Sequence, residues 1–236
     1  QPKNQNDNYF DFNIANNLSK KLGEYLSMGW ESQSLERKND FHIWNKKNTW
    51  IEDYSIFMVI RDKFSMLPWW EWPFELKHKK NEFIKLWIKN KKSEILKIKL
   101  IQWHLNKQWM EIKDYAKNKG ITLIGDLPFY VSRDSADVWS NKSLFSISQD
   151  GDLLFQSGVP PDYFSSSGQL WGTPTYYWAK HKRTNFKWWR ERFKRQFELV
   201  DILRLDHFRA LAGYWRVDGN AKNAVNGTWI NSPGKE

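Results

Sequence analysis

One rhythm occurs twice in this chain, and it restricts the fold more than any other feature. A helical stretch stops at Gly120, a residue suited to the left-handed conformation that ends helices, and Ile121-Thr122-Leu123-Ile124-Gly125-Asp126 follows at once. A second helix, Asn185 to Leu199, leads into Val200-Asp201-Ile202-Leu203-Arg204-Leu205 and then Asp206. Short β-rich apolar runs that follow helices and end on an acid are the pattern of a parallel βα repeat. In a (β/α)8 barrel, residues at the C-terminal ends of the strands carry the chemistry. The expected fold class is therefore α/β, a partial (β/α)8 TIM barrel with helical insertions and strands at 121–127 and 200–206. Residues 1–119 read as a mostly helical insertion and barrel-helix region, and 120–236 as a partial catalytic barrel. A whole barrel takes roughly 250 residues and eight strands. Two strands in 236 residues, with a start at Gln1 and an end at Glu236, read as an internal fragment of a larger protein.

Upstream, the periodicity is helical. Ile14, Leu18, Leu22 and Tyr25 form one face, and Tyr54, Phe57, Met58 and Ile60 mark a short buried helix within 53–64. From Asn81 to Lys119 a long helical region, in one or two pieces, carries the stripe Ile98, Ile101, Leu105, Trp109, Ile112 and Ala116. Lysines fill its other face. Between Glu75 and Gly120 there are 13 Lys against five acids, which supplies most of the net charge of +10. That stretch holds no Arg, the residue suited to bidentate base and phosphate contacts, so it reads as a solvated helix surface with no nucleic-acid partner.

Composition closes further routes. No apolar run approaches the ~20 residues of a membrane helix, so no membrane partner is expected, and Gln1-Pro2-Lys3-Asn4-Gln5-Asn6 lacks the apolar stretch of a leader. The absence of cysteine excludes a disulfide framework, a thiolate metal site and a cysteine nucleophile, and suits a reducing, cytoplasmic setting. Five histidines without metal-ligand spacing, and no glycine-rich phosphate motif, leave no metal or cofactor expected. The 16 Trp are first a packing statement: Trp189, Phe193, Phe197 and Val200 fit the apolar side of a helix. Trp69, Trp70 and Trp72, between Pro68 and Pro73, do not fit such a stripe. Their rings could pack or could stack on a sugar or a base.

Two segments can carry chemistry. In Arg204-Leu205-Asp206-His207-Phe208-Arg209, strand alternation puts Arg204 and Asp206 on one face. A guanidinium beside a carboxylate orients it and holds its charged form, as a carboxylate nucleophile or oxocarbenium stabiliser requires. An ordinary buried Arg–Asp pair is the plain alternative. The second segment is the long loop 128–178, with Asp134-Ser135-Ala136-Asp137-Val138-Trp139, Gly158 to Phe164 and Gly168-Gln169-Leu170-Trp171-Gly172. Side chains that bond hydroxyls, interleaved with aromatic rings, suit a sugar site; a rigid loop pinned by its aromatics is the alternative. Loops this long in a compact domain are usually functional.

The runs GDLPFYVSRDSADVW, GVPPDYFSSSGQLWGTPTYYW and RLDHFRALAGYW resemble the 4-α-glucanotransferases of glycoside hydrolase family 77. The strong likeness covers 120–236 and continues more weakly upstream through Asp53-Tyr54, the Trp-Pro stretch, Gln102-Trp103 and Gln108-Trp109. The resemblance implies retaining chemistry on α-1,4-glucans and malto-oligosaccharides, without a cofactor. It implies Asp206 as nucleophile, Arg204 as the residue that orients it, and His207 and Asp126 as sugar-binding residues beside it. Asp162, Phe164, Gln169 and Trp171 would belong to the loop that covers donor and acceptor. Thr173 and Ala210 depart from the family's usual Asn and Gly. The family's acid/base Glu is expected beyond residue 236, so this chain alone is expected to be inactive. A hydrolytic amylase-type barrel, or a non-catalytic glucan- or polyanion-binding protein, is the alternative reading.

Overall fold

The computed structural model describes residues 11–234; the polar start Gln1–Asn6 lies outside them. Three helices open the described part: α1 (Phe12–Met28), α2 (Leu35–Lys47) and α3 (Trp50–Lys63). Asp11 caps α1 by accepting from the backbone of Asn13 and Ile14, and Ser34 caps α2 by accepting from Arg37 N. After a 3-10 turn at Trp69–Glu71 come α4 (Phe74–Lys77), α5 (Asn81–Asn90) and α6 (Lys92–Asn118). The long helical region is thus two helices, and it stops where the sequence says. Gly120 takes φ +71°, and Ile121 N donates to Ala116 O to close the last turn.

The α1 face differs from its sequence expectation. Ile14, Leu18 and Tyr25 are exposed. Gly23 is buried instead, and a Cβ there would lie 2.8 Å from Ile101 Cδ1 of α6. The bare glycine lets the helices approach closely, which turns the larger side chains outward. On α6, Ile95, Leu100, Ile101 and Trp103 are buried, whereas Leu105, Trp109 and Ile112 of the expected stripe are exposed. Trp109 Nε1 still donates to Leu199 O, and Lys113 Nζ to the carbonyls of Glu198 and Val200, tying α6 to the end of a later helix.

The remaining elements are β1 (Ile124–Leu127), α7 (Ala136–Ser140), β2 (Phe155–Val159), β3 (Gln169–Pro174), α8 (Trp178–Arg183), α9 (Lys187–Leu199), β4 (Ile202–Leu205), β5 (Gly213–Asp218) and β6 (Gly227–Asn231). β1 and β4 pair in parallel, with Ile124 opposite Ile202, Asp126 opposite Arg204 and Leu127 opposite Leu205. The fold is mixed α/β, with two parallel strands at the expected places and slightly shorter than expected. Ile124 and Ile202 are exposed rather than buried, because each strand has one paired edge among the described residues.

The segment 128–178 is more ordered than the loop expected from sequence. It contains α7 and the β2–β3 hairpin, which joins β5 and β6 in an antiparallel sheet of order β3-β2-β5-β6. Ser157 and Gly158 within Phe155-Gln156-Ser157-Gly158-Val159 hid the strand alternation. Gly158 is required there, since a Cβ would meet Gln169 O of the paired strand at 2.2 Å.

The tryptophans resolve in favour of packing. Trp69 and Trp72 are buried with Phe57 and Trp139, and their indoles donate to Arg133 O and Leu67 O. Flanking prolines set the 3-10 turn that points both rings inward, so neither is a sugar platform. Trp70 lies under the Arg133 guanidinium, 3.8 Å from its ring centre. On α9, Trp189 is buried and Phe193 half-buried, while Phe197 stands exposed. One aromatic core runs from Phe57 through Trp139, Phe145 and Tyr176 to Tyr214. Truncating such a ring to Ala typically costs about 3–5 kcal/mol.

Candidate active site

The end of the parallel pair gathers the charged residues. Arg204 projects from β4 beside its register partner Asp126 on β1. Its guanidinium forks: Nη1 donates to Asp126 Oδ2 at 2.9 Å and Nη2 to Asp206 Oδ1 at 2.7 Å. Asp206 is held by its backbone too, since its N–H donates to Leu127 O at 3.0 Å and extends the ladder one step past the strand. One planar donor set thus fixes two carboxylates at the same rim. All three side chains are more than half exposed, at 64% for Arg204 and 53% for each acid, so this is not a sealed structural ion pair. The carboxylates remain open on one side to a ligand.

The turn after β1 is fixed from α9. Arg192 donates to the carbonyls of Pro128 and Phe129, and Tyr176 Oη donates to Phe129 O at 2.6 Å. The turn after β4 is made by His207, which takes φ +53° and leads directly into a 3-10 turn at Phe208–Leu211. A left-handed non-glycine residue next to Asp206 is a strained conformation of the kind that clusters at functional sites. Its ring meets Trp171 edge-on, with centres 4.8 Å apart. Burial holds the His207 pKa below the usual imidazole range, partly offset by the Asp206 charge, and its buried Nε2 has no partner among the described residues.

Tyr130 was missed by the sequence reading although it lies in one of the quoted motifs. Its ring sits 5.9 Å from Trp171 and 6.2 Å from His207, and it stacks on Tyr176 at 5.7 Å. Its Oη is buried without a partner among the described residues, and burial raises its pKa above the ordinary phenol range. The signal available was its place three residues past the end of β1. Two orphaned polar atoms, Tyr130 Oη and His207 Nε2, thus belong to neighbouring rings, and His207 directly follows Asp206. Buried polar groups are ordinarily paired, so such orphans mark places where a ligand or water can bond.

The remaining expected residues divide. Trp171, on β3, is half-buried and joins the rim through His207 and Tyr130; Gln169 accepts from its indole at 3.2 Å and so orients it. Asp162 and Phe164 sit at the hairpin tip. Asp162 accepts from the backbone of Phe164 and Ser165, which shapes the turn, and Tyr163 and Phe164 project almost fully into solvent. None of the described contacts joins these two to the rim. The Thr173 hydroxyl bonds to Ser157 of the paired strand, and Ala210 is fully buried, so both departures from the usual motif are absorbed locally.

The chain is similar to known proteins along nearly its whole length. The family model described as 4-alpha-glucanotransferase matches residues 2–236. The 4-alpha-glucanotransferase of Clostridium butyricum is 40% identical over 99% of this chain, and that of Aquifex aeolicus is 44% identical over 79%. An amylomaltase from Streptococcus agalactiae, solved in complex with acarbose, superposes on 98% of the chain with a TM-score of 0.90 at 31% identity. The chain spans 48% of the C. butyricum protein, 38% of the A. aeolicus protein and 46% of the S. agalactiae chain. With the Arg204-bridged acids at the end of its parallel strands and a family match along nearly its whole length, this chain belongs to the 4-α-glucanotransferases of glycoside hydrolase family 77.

Proposed function

We propose that this chain is the nucleophile-bearing part of a cytoplasmic, retaining 4-α-glucanotransferase, acting on α-1,4-glucans and malto-oligosaccharides within a complete (β/α)8 barrel. The observation that carries the reading is the Arg204 fork, which holds Asp126 and Asp206 together at the open end of β1 and β4. In this reading Asp206 attacks the anomeric carbon of a bound glucan as the glycosidic C–O bond breaks. The departing 4-oxygen takes a proton from a carboxylic acid contributed by the rest of the full-length protein. The β-glycosyl ester on Asp206 is then displaced by the 4-hydroxyl of an acceptor sugar, which returns its proton to that same group. Retention requires the two carboxyls about 5–5.5 Å apart across the bond.

Arg204 keeps the attacking oxygen aimed, and Asp126 shares that guanidinium and accepts from sugar hydroxyls. Tyr130 and His207 turn their orphaned polar atoms to the sugar in the donor position, and Trp171 forms a wall for it. Asp162, Phe164 and Gln169 act from the hairpin that folds over the glucan. The cysteine-free composition supports a reducing compartment. The test is disproportionation of maltotriose by the full-length protein and by its Asp206→Asn variant. Transfer products from the former and their loss in the latter are expected, with the Asn variant still folded. Glucose formed without longer maltosaccharides would make the enzyme a hydrolase.

A further inference from the structure

Helix α9 reaches the turn after β1 through a half-buried guanidinium. Arg192 lies one turn after Trp188 and Trp189, and its guanidinium stands 5.3 Å from the centre of each ring. Nη2 donates to Pro128 O at 2.6 Å and Nη1 to Phe129 O at 3.1 Å. Both acceptors are neutral. Asp137 gives this cation only a Coulombic pull, since its Oδ1 accepts from the Trp188 indole. Burial holds the Arg192 pKa below the usual guanidinium range. A cation withdrawn from water without a bonded carboxylate is a costly way to fill space, and here two charge-assisted bonds to successive carbonyls offset that cost.

Those bonds fix Tyr130. A peptide group is planar, so the Phe129 carbonyl sets the plane that also contains Tyr130 N and Cα. That oxygen accepts from Arg192 and from Tyr176 Oη at 2.6 Å, while the Tyr176 ring stacks on the Tyr130 ring at 5.7 Å. Tyr130 is thus held at its backbone and at its ring, and the ring that carries the unpaired Oη lies 5.9 Å from Trp171 and 6.2 Å from His207. Asp206 is anchored separately, by Leu127 O and by Arg204. We propose that Arg192, which bonds to neither carboxylate of the rim, is a positioning residue for the transfer reaction: its fork sets the direction of the Tyr130 hydroxyl toward the bound sugar. The proposal rests on the function proposed above. A lysine at 192 keeps the charge but cannot hold both carbonyls in one plane.

The experiment is a double-mutant cycle in the full-length protein, combining Arg192→Lys with Tyr130→Phe and read by maltotriose kinetics. Arg192→Lys is expected to raise KM about four-fold, the scale of one misplaced hydrogen bond, with kcat within about two-fold of the parent. In the Tyr130→Phe background the same substitution is expected to change KM by less than about 1.5-fold, because the hydroxyl it positions is gone. Tyr176→Phe removes the other donor to Phe129 O and should show the same coupling, which decides the matter if Arg192→Lys does not fold. Equal KM increases with and without the Tyr130 hydroxyl would make Arg192 a packing residue and overturn the proposal. So would an unchanged KM in both Arg192→Lys and Tyr176→Phe. A fall in kcat at constant KM would also overturn it, by placing the effect on Asp206. A parent that does not transfer glucosyl units overturns the proposed function and this proposal with it, whereas an active parent with additive variants overturns this proposal alone.

Discussion

Asp126 and Arg204 face each other across the parallel β1–β4 pair, and the guanidinium of Arg204 donates to the Asp126 carboxylate at 2.9 Å while its other terminal nitrogen donates to Asp206 at 2.7 Å. Strand register makes this bridge possible. Residues 204 and 206 share a face because side chains alternate with period two, and parallel pairing brings Asp126 alongside. A slip of one residue would send Arg204 to the opposite face and separate the acids.

Arg204→Lys should therefore uncouple them. A lysine keeps the charge but is a single point donor and cannot span both carboxylates in one plane. In the full-length protein kcat is expected to fall roughly a hundred-fold, the scale of misplacing a reacting group by about 1 Å, while KM stays within a few-fold. Stopped-flow or steady-state maltotriose kinetics checks this, and a variant with unchanged kcat would remove the positioning role.

Trp171→Ala should act on binding. The ring braces His207 edge-on at 4.8 Å and contacts Tyr130, so its loss frees both and removes a sugar-facing wall. A KM increase of about ten-fold, equivalent to about 1.4 kcal/mol, is expected for malto-oligosaccharides. Tyr130→Phe, which removes only the orphaned hydroxyl, should weaken binding less and leave the melting temperature unchanged or raised.

Much of the rim was legible in the sequence because its geometry is local. Arg204, Asp206 and His207 are neighbours in the chain, and an acid that follows an apolar β run sits at a strand end whatever surrounds it. The antiparallel sheet was not legible. Its strands are interrupted by Gly158 and Gly172, and their pairing joins 155–159 to 213–218, which no local pattern announces. The α1 face and the lower α6 stripe failed for a related reason: periodicity identifies an apolar side but not the neighbour that covers it. Trp69 and Trp72 looked like candidates for a binding surface because prolines flank them, yet those prolines direct the rings into the core. Tyr130 offered only its place three residues past β1 as a signal, since its interest lies in a hydroxyl left unpaired among rings distant in the chain.

Gly151→Ala tests how the Trp-Pro segment is held. Gly151 has φ +100°, and a Cβ there would lie 2.5 Å from Trp69 Cη2 and 2.8 Å from Trp70 Cβ. Its carbonyl also accepts from Arg133 Nε at 2.7 Å. Backbone strain and overpacking act together, and a loss of at least about 2 kcal/mol is expected. Urea unfolding of the full-length protein measures it; a neutral result would mean that the aromatic core gives way easily.

His181 sets an acid limb. It is fully buried against Phe145, Tyr176, Trp178 and Trp188, bonded to Leu144 O, and burial lowers its pKa from 6.5 to about 4. The folded state thus resists protonation that the unfolded chain accepts below pH 6.5. Stability is full above that pH and falls as pH drops toward 4, by about 2 kcal/mol at pH 5 and about 3 kcal/mol in the limit. Denaturation midpoints at pH 7.5 and 5 should differ accordingly, and His181→Leu should flatten the slope. An equal slope in that variant would assign the limb to other groups.

Covalent capture of the glycosyl-enzyme tests most directly that Asp206 is the nucleophile. The full-length protein, with its general acid replaced by the amide, would be given an activated glucosyl donor that needs no protonation, then digested with pepsin and sequenced by mass spectrometry. The expected result is one added glycosyl group on the peptide spanning 203–209, fixed at Asp206 and absent from the Asp206→Asn protein. A label on Asp126 or on any other carboxylate, or undiminished maltotriose disproportionation by Asp206→Asn, would contradict it.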